Sequence, residues 1–520
     1  ARLLPSPTAP LLPMSTHYHQ LCSLVRRSGV LGSIGALVSW DQETYMPPAG
    51  AAFRAEQLGL IAELHHKHAT DPKIGELIAA CEADKALLAN ETVAANIREL
   101  RRDYDRMTKL PTRLVSELAT TTSQAQEAWK HARQNSNFAA FVPKLERVFE
   151  LTRQKADCYG IPAGGERYDA LLDEYEPGAS AKEIEATFTP LRAKLAALIH
   201  SVAASGKKPD TSILSAQIPA DKQHAFGQMI LKAITFDLDA GRLDVTTHPF
   251  CSGVAPGDTR LTTRYRDEKF TDALYGTLHE AGHGLYEQGL PKAGSPEGLF
   301  GQPLSEAISL GIHESQSRMW ENLVGRSREF WVWALPLAKE YFGSAMANVT
   351  PDSMFQAVNT TTPSLIRVEA DEGTYNMHVM VRFELERALL SGAMKVKDVP
   401  GEWNRRYKDY LGIDVPDDRR GCLQDVHWSA GLIGYFPTYT LGNLYAAQFW
   451  ETIEQEIPDV KAKISRGEFA PLREWLRTKI HVHGRRYRAA ELCKRVTGKP
   501  LSADPLLRYL GTKSKAVYGV

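Results

Sequence analysis

The sequence predicts a mainly α protein with a small β-sheet beside a polar site. Three observations support this fold class: helical spacing of apolar residues over long segments, strand-like alternation confined to a short central stretch, and two histidines four residues apart just after that stretch. The chain has 520 residues, of which 43% are hydrophobic, so it can bury a sizeable core.

Helical periodicity is clearest in residues 72–107 and 180–205, which are amphipathic and contain few β-branched runs. Gly29, Gly32 and Gly35 repeat at every third position. We interpret this series as close helix packing, since a lone glycine series is weak evidence for a phosphate-binding loop.

Strand-like alternation occurs in "RLDVTTHPF" (242–250) and "TRLTTRYR" (259–266). No clear linker, repeat or low-complexity block divides the rest of the chain. Residues 1–13 are rich in proline, and we predict that they are a disordered leader or expression remnant, with Met14 as a candidate start.

Composition excludes several classes of protein. Lys+Arg and Asp+Glu both number 62, which argues against a nucleic-acid partner. The longest apolar stretch, residues 29–40, falls short of the roughly 18 residues that a membrane span needs, so we expect no membrane partner. Six cysteines without a C-x-x-C pair indicate free thiols in a reducing compartment, and we predict a cytoplasmic protein.

The polar site is predicted from "TLHEAGHGLYEQGL" (277–290). We predict a helix that begins at Thr271 with that residue as its cap. His279 and His283 then lie one turn apart on one face, so both imidazoles can bind one ion. Glu280 is rotated by about 100° from His279, which suits a base acting on metal-activated water. The buried face of this helix is predicted to consist of Leu274, Leu278, Ala281 and Leu285.

Chance alone would produce only about 0.03 to 0.05 such H-E-x-x-H matches in a chain with this many histidines, so the match is informative. Gly276, Gly282 and Gly284 surround it, and each costs a helix roughly 1 kcal/mol relative to alanine. We therefore expect another part of the protein to approach this helix backbone closely. Two further histidine clusters, residues 65–68 and 481–483, are interpreted as solvated or capping side chains.

A catalytic zinc site usually has three protein ligands. The metzincin pattern is excluded because Tyr286 and Gly289 occupy its glycine and histidine positions. Glu287 is also excluded, since eight residues of helix rise about 12 Å from His279. The third ligand must come from another helix, predicted within residues 304–325 with Ile308, Ile312, Met319 and Leu323 buried and Gly325 as its end. That segment offers four candidate ligands, namely Glu306, His313, Glu314 and Glu321.

The two segments 279–290 and 311–327 resemble the carboxypeptidase Taq family of zinc metallocarboxypeptidases. The resemblance extends over nearly the whole chain. It includes "SWDQETYMP" (39–47), "HPF" (248–250), "DTRLTTRY" (258–265), "IRVEADE" (366–372) and "GCLQDVHWSAGLIGYFPTYTLGN" (421–443). Several separate motifs in the same order make it specific.

The resemblance implies a large helical body split by a deep active-site groove, similar to neurolysin and angiotensin-converting enzyme. It implies one catalytic domain over residues 14–520, a homodimer, and removal of C-terminal residues from peptide substrates with broad preference. Glu314 is the implied third ligand of zinc, although this type of site also accepts cobalt or manganese. The segment "PKAGSPEGLFGQP" (291–303) is longer than expected for the family.

Arg318 departs from the pattern of many related peptidases, which have an aspartate four residues after the ligand glutamate. Support for the metal ligands must then come from elsewhere, and Asp371 is one candidate. In the implied mechanism Glu280 accepts a proton from the attacking water and passes it to the leaving amine. His427, Tyr435 and Tyr439 are candidate donors to the oxyanion, with Tyr435 preferred, and the alternative is that these tyrosines are buried structural aromatics.

Carboxypeptidase activity needs a fixed cation for the terminal carboxylate of the substrate, and the planar fork of arginine suits it. Arg367 is the leading candidate, with a structural ion pair to Glu369 or Asp371 as the competing interpretation. His248 is predicted to line the groove. The other candidate arginines are Arg260, Arg264, Arg419 and Arg420.

Two alternative functions stay open. A zinc endo- or oligopeptidase would use the same catalytic centre without a carboxylate anchor. A non-enzymatic binding scaffold with a vestigial site is disfavoured, because His279, Glu280, His283 and Glu314 are all present.

Overall fold

The computed structural model describes residues 16–292 and 299–520. The prediction for residues 1–13 and the central part of the predicted loop insertion at 291–303 therefore lie outside the described residues. The described chain contains twenty-one α-helices: α1 Thr16–Thr44, α2 Ala51–Ala69, α3 Pro72–Ala83, α4 Lys85–Leu88, α5 Glu91–Lys109, α6 Thr112–Gln134, α7 Phe138–Tyr159, α8 Arg167–Leu172, α9 Ala181–Ala204, α10 Ala220–Ala233, α11 Phe270–Gly289, α12 Leu310–Arg318, α13 Arg328–Phe342, α14 Pro351–Val358, α15 Tyr375–Ser391, α16 Val399–Leu411, α17 Pro437–Glu456, α18 Val460–Ser465, α19 Ala470–Lys479, α20 Ala489–Thr497 and α21 Asp504–Tyr518.

The mainly α fold class is confirmed, and the two periodic segments are helical as predicted. Residues 72–107 form α3, α4 and most of α5, with breaks at two capping residues. Asp84 accepts hydrogen bonds from the backbone N–H groups at the start of α4, and Asn90 does the same for α5. Ser180 caps α9, which covers the second segment.

A three-stranded sheet precedes the histidine motif. Its strands are β1 Gly241–Val245, β2 Cys251–Ala255 and β3 Asp258–Thr263, in the spatial order β1-β3-β2. β1 runs parallel to β3 with Gly241 opposite Thr259, and β2 runs antiparallel to β3. β1 and β3 were predicted from alternation. β2 was not, because "CSGVA" is short and contains a glycine, which weakens the strand pattern.

The hydrophobic core has two principal parts. The larger one extends from α6 to α21 and surrounds α11, α12 and α17. A smaller one is formed by α1, α3 and α5 around Leu21, Ile78 and Ile97. The N-terminal helices thus bury their own apolar cluster, and the single-domain assignment for residues 14–520 stays a prediction.

The glycine series in α1 lies at close contacts, as predicted. A Cβ atom at Gly29 would lie 2.6 Å from Gly301 Cα, and one at Gly35 would lie 3.2 Å from Ile61 Cγ2 of α2. Gly32 faces the ring of His65. The series therefore serves packing of α1 against α2 and the segment before α12.

α1 has an exposed apolar face that is not predicted by the sequence patterns described above. An 18-residue window within Thr16–Thr44 has a mean hydropathy of 1.3, and 11% of that window is buried. By length and composition, α1 is thus the one helix of the described residues that can cross a membrane. A single helix of this kind near the N-terminus is weak evidence for a membrane protein, since signal sequences meet the same criterion.

Candidate active site

The histidine motif lies on α11, which begins at Phe270, one residue before the predicted start. Lys269 precedes the helix without a side-chain cap, and Thr271 already belongs to the first turn, so the predicted Thr271 cap is wrong. The predicted buried face is confirmed, because Leu274, Leu278, Ala281 and Leu285 are all buried.

The predicted second helix comprises α12 and a π-helix, Met319–Gly325, which follows directly. It starts at Leu310, not at residue 304, because the Ser309 hydroxyl accepts a hydrogen bond from the Ile312 N–H at 3.1 Å. All four predicted buried residues, Ile308, Ile312, Met319 and Leu323, lie in the core.

Two of the three motif glycines allow close approach to the α11 backbone. A Cβ atom at Gly282 would lie 2.6 Å from Ser317 Cα of α12, and one at Gly284 would lie 2.7 Å from Leu261 of β3. At Gly276 the nearest atom, Thr263 Oγ1, would lie at an ordinary 3.6 Å, so the prediction is wrong there. Gly282 therefore fixes the short separation between the two helices that carry the polar site.

His279, His283 and Glu314 converge between α11 and α12. Their ligand atoms all lie within 4.8 Å of one another, with Glu314 Oε2 at 3.6 Å from His279 Nε2 and 3.5 Å from His283 Nε2. Two imidazole nitrogens and one carboxylate oxygen form a donor set that fits a divalent transition-metal ion. Of the other candidate ligands, Glu306 instead pairs with Arg485.

Glu321 supports the first histidine. Its Oε2 atom accepts a hydrogen bond at 2.9 Å from His279 Nδ1, which leaves Nε2 directed at Glu314. Arg318 and Arg326 each pair with Glu321 at 3.2 Å. Against the effect of burial, the charge of Arg318, the hydrogen bond from His279 and the charge of Arg326 hold the pKa of Glu321 far below its usual value. Glu321 is therefore a charged hydrogen-bond acceptor.

Arg318 also donates to Glu314 Oε1 at 2.7 Å, so it holds the carboxylate that faces the histidines. Asp371 does not take part: its carboxylate accepts hydrogen bonds from the backbone N–H groups of Thr362, Gly373 and Thr374. The prediction that Asp371 supports the metal ligands is thus wrong, because its carboxylate binds the backbone of its own loop.

Glu280 is buried beside the cluster on the same helix. Burial raises its pKa to about 7, and the positive charge available on His279 opposes that shift. The carboxylates of Glu314 and Glu321 raise the pKa further. A carboxyl with a pKa near neutrality can both accept and return a proton at neutral pH.

The three predicted donors lie together at the start of α17. His427 Nε2 and the Tyr439 hydroxyl are 3.2 Å apart, and the ring of Tyr435 lies 5.4 Å from each of the two other rings. Burial, with the Glu314 carboxylate as the next cause, raises the pKa of Tyr435 to about 12. Burial lowers the pKa of His427 to about 4. At neutral pH Tyr435 is thus a protonated donor and His427 a neutral imidazole.

Arg367 is engaged in a buried network. Its Nε and Nη2 atoms donate to Asp425 Oδ1 at 3.0 and 2.8 Å, and Nη1 donates to the Tyr375 hydroxyl at 2.9 Å. Arg382 pairs with the other oxygen of Asp425. This contradicts the anchor assignment for Arg367 and favours a structural ion pair, although its partner is Asp425 and neither Glu369 nor Asp371.

Of the candidate arginines, Arg264 and Arg419 have no carboxylate partner in the described chain, and Arg419 is exposed. The Arg264 Nε atom is buried without a hydrogen-bond partner in the described chain, and Nη1 lies 3.4 Å from the Thr247 carbonyl. The neighbouring His248 is exposed in the turn after β1. By contrast, Arg260 forms a two-bond pair with Asp258, and Arg420 pairs with Asp417.

A cavity of about 620 Å³ lies between the N-terminal helices and the start of α12. Ser309 and Leu310 line it, as does Tyr175, whose ring lies 5.2 Å from that of Tyr435. The cavity therefore reaches the residues that flank the donor cluster.

Sequence reasoning missed several residues of the site. The sequence offered Glu321 only as a candidate ligand. Its position, seven residues after Glu314 and on the same helical face, was the available signal for a supporting role. Asp425 and Arg382 gave no local signal, because their pairing joins segments 43 residues apart. In the histidine cluster at residues 481–483, His481 is buried and not solvated as predicted.

A helical body with two histidines and a carboxylate converging from adjacent helices defines the class of single-ion metallopeptidases. The family model of carboxypeptidase Taq (M32) metallopeptidases matches residues 20–514. The chain therefore belongs to the carboxypeptidase Taq (M32) family, and its enzyme class is that of a metallocarboxypeptidase, a hydrolase of peptide bonds.

Relatives match nearly the whole length of the chain. Thermostable carboxypeptidase 1 of Thermus thermophilus is 47% identical, over 96% of this chain and 99% of the relative. Carboxypeptidase 1 of Bacillus subtilis is 37% identical, over 98% and 100%. Among solved structures, the M32 carboxypeptidase from Deinococcus radiodurans R1 superposes with a TM-score of 0.93 at 40% identity, covering 97% of this chain and all of that chain.

Proposed function

We propose that this protein is a zinc carboxypeptidase that removes C-terminal residues from peptides with broad preference, with Glu280 as the general base. The observation that carries the proposal is the convergence of His279, His283 and Glu314 with a buried Glu280 beside them. Zinc, when bound, supplies a Lewis acid that polarises the scissile carbonyl and lowers the pKa of water.

The residues of the chain divide the remaining work. Glu280 accepts a proton from the attacking water and later delivers it to the leaving amine, for which its raised pKa is suited. Tyr435 donates to the developing oxyanion, since its hydroxyl stays protonated at neutral pH. His427 and Tyr439 contact each other through a hydrogen bond and hold this edge of the site in place.

We assign the substrate carboxylate to Arg264 in preference to Arg367. A carboxylate anchor needs free donors, and the Arg264 guanidinium has them while that of Arg367 is committed to Asp425 and Tyr375. Arg264 directly follows β3, which packs against α11 through a hydrogen bond from Thr263 Oγ1 to the Ala273 carbonyl. His248, in the adjoining turn, is proposed to line the same part of the groove.

Substitution of Arg264 by glutamine tests the anchor. We expect KM for a peptide with a free C-terminus to rise by about tenfold or more, since a charge-assisted hydrogen bond contributes about 1.5–3 kcal/mol. The measurement is the ratio of kcat/KM for matched peptides with free and amidated C-termini. The control is Arg420→Gln, which removes an exposed arginine. An unchanged ratio in the Arg264 variant contradicts the assignment.

The same pair of peptides tests the alternative function. A carboxypeptidase releases single C-terminal residues and works poorly on the amidated peptide, whereas an endo- or oligopeptidase cleaves both at equal rates. Product masses from a mixed peptide digest show which residues are released. Elemental analysis of the purified enzyme identifies the metal. Cobalt or manganese in place of zinc would correct the metal assignment without changing the reaction.

We further propose that the enzyme is a cytoplasmic homodimer. The six cysteines are all free in the structure, which suits a reducing compartment. Exposed apolar side chains on α1 and α2, including Ile34, Phe53 and Leu60, supply a surface of the kind that a second copy can cover.

A further inference from the structure

We propose that His313 and Glu287 are positioning residues that hold the metal ligand His283 through a histidine–histidine–glutamate chain. This inference rests on the proposed metal function of His283. His283 Nδ1 and His313 Nδ1 are 2.5 Å apart, and His313 Nε2 lies 3.0 Å from Glu287 Oε1. Lys292 pairs with the other oxygen of Glu287. This hydrogen-bonded series thus runs from the ligand to a charged pair near the C-terminal end of α11.

The direction of the hydrogen bonds follows from the ligand role. His283 Nε2 faces Glu314, so this nitrogen must be unprotonated to bind an ion and Nδ1 must carry the hydrogen. His283 Nδ1 then donates to His313 Nδ1, which leaves the hydrogen of His313 on Nε2. That N–H donates to the Glu287 carboxylate, so one proton arrangement satisfies all three side chains.

The two metal-binding histidines are therefore supported differently. His279 donates directly to a carboxylate, Glu321, which two arginines hold in place. His283 reaches its carboxylate, Glu287, through a second imidazole. Glu287 lies eight residues after His279 on α11, which is too far along the helix to share the ion. Because the His313 ring lies between Glu287 and His283, Glu287 can still act on the site.

Packing is the competing explanation for His313. Its ring lies 4.4 Å from that of His283 at an angle of 32°, and 5.3 Å from that of Tyr286. A phenylalanine at this position keeps an aromatic ring but has no nitrogen. An asparagine loses the ring but places its amide oxygen where Nδ1 stood, so it still accepts from His283. The two substitutions therefore separate hydrogen bonding from packing.

The test measures the zinc affinity of His313→Asn and His313→Phe by titrating the zinc-loaded enzymes with a chromophoric chelator. If hydrogen bonding through His313 positions His283, the His313→Phe variant binds zinc about 10–100-fold more weakly than wild type. The His313→Asn variant then keeps most of the wild-type affinity. If packing is the role, the order is reversed and the inference is overturned. The cobalt-substituted enzymes give a second readout, since a displaced imidazole changes the absorption spectrum of the ion.

Glu287→Gln probes the far end of the chain and is expected to weaken zinc binding less than His313→Phe, since the amide oxygen can still accept the hydrogen bond. Equal weakening by His481→Phe also overturns the inference. The ring of His481 is buried 5.0 Å from that of the same Tyr286, but it is not part of the hydrogen-bonded series His283–His313–Glu287. Failure of the proposed function is distinguishable: in that case wild-type protein binds no divalent ion and removes no C-terminal residues.

Discussion

Glu280 and the two histidines occupy one helical turn, yet their environments differ. His279 and His283 direct Nε2 atoms at Glu314, whereas the Glu280 carboxyl is buried with its pKa raised to about 7. The angular offset of about 100° between neighbouring helical residues separates the proposed base from the proposed ligands. At the residue scale, the helix geometry therefore supports the proposed division of roles.

Replacing Glu280 with glutamine is expected to lower kcat by at least about 10²–10⁴-fold, because general acid–base catalysis typically contributes that much. Zinc content should stay at the wild-type value, since Glu280 is not a proposed ligand. Peptide hydrolysis assays and elemental analysis of the same preparations measure both quantities. A variant that retains full activity would refute the role of Glu280 as the base.

At the scale of elements, the close approach of α11 and α12 determines whether the ligands can meet. The glycine at 282 allows it, because the α12 backbone occupies the space that a side chain would need. α12 also packs on α17, where a Cβ atom at Gly442 would lie 2.6 Å from Glu314 Cβ. Glu314, the proposed third ligand, is thus enclosed between two helix backbones.

Gly282→Ala and Gly276→Ala form a matched pair of substitutions on α11. Gly282→Ala should lower stability by about 1–3 kcal/mol through overpacking and weaken zinc binding, because α12 must move away. Gly276→Ala should be neutral or stabilise by up to about 1 kcal/mol, since its Cβ meets no close atom and alanine favours a helix. Thermal melts and chelator titrations of both variants provide the measurement. Equal effects would show that helix separation does not control the site.

At the scale of the whole molecule, buried carboxyls couple stability to pH. Glu176 is buried between α12 and α17, where it accepts hydrogen bonds from the Gly311 N–H at 2.9 Å and the Tyr445 hydroxyl at 3.3 Å. Burial raises its pKa to about 7 from an ordinary 4.5, against the effect of these hydrogen bonds. The folded state thus binds this proton more tightly than the unfolded state does.

The stability contributed by the Glu176 proton is complete below pH 4.5 and is lost as the pH rises through about 7. We therefore expect Glu176→Gln to be more stable relative to wild type at pH 8 than at pH 5, by roughly 3 kcal/mol at most. Calorimetric Tm differences between variant and wild type at the two pH values measure this, with zinc at saturation. A Tm difference independent of pH would contradict the raised pKa.

The exposed face of α1 and α2 also has a consequence for the whole molecule. If this face is the homodimer interface, Ile34→Glu combined with Leu60→Glu should yield monomers at concentrations where wild type is dimeric. Both side chains are exposed, at 44% and 58%, so the fold should tolerate the changes. Light scattering after size-exclusion chromatography measures the mass. Ile161→Glu, another exposed apolar site, is the control, and a dimeric double variant would place the interface elsewhere.

The sequence by itself determined the helical fold class, two of the three strands, and the residues His279, Glu280, His283 and Glu314. These depend on local periodicity, on helical spacing and on a family resemblance carried by contiguous motifs. It also predicted that another segment approaches the helix backbone closely at Gly282, but it did not identify that segment.

Only the tertiary structure decided which side chains support the site and which candidate arginines are committed to carboxylates. Arg367 and Asp425 are 58 residues apart, and His313 meets His283 and Glu287 across two helices. Such pairings depend on how helices pack, and no periodicity within one segment encodes them. Burial, which raises the pKa of Glu280, likewise comes from neighbours that are distant in sequence.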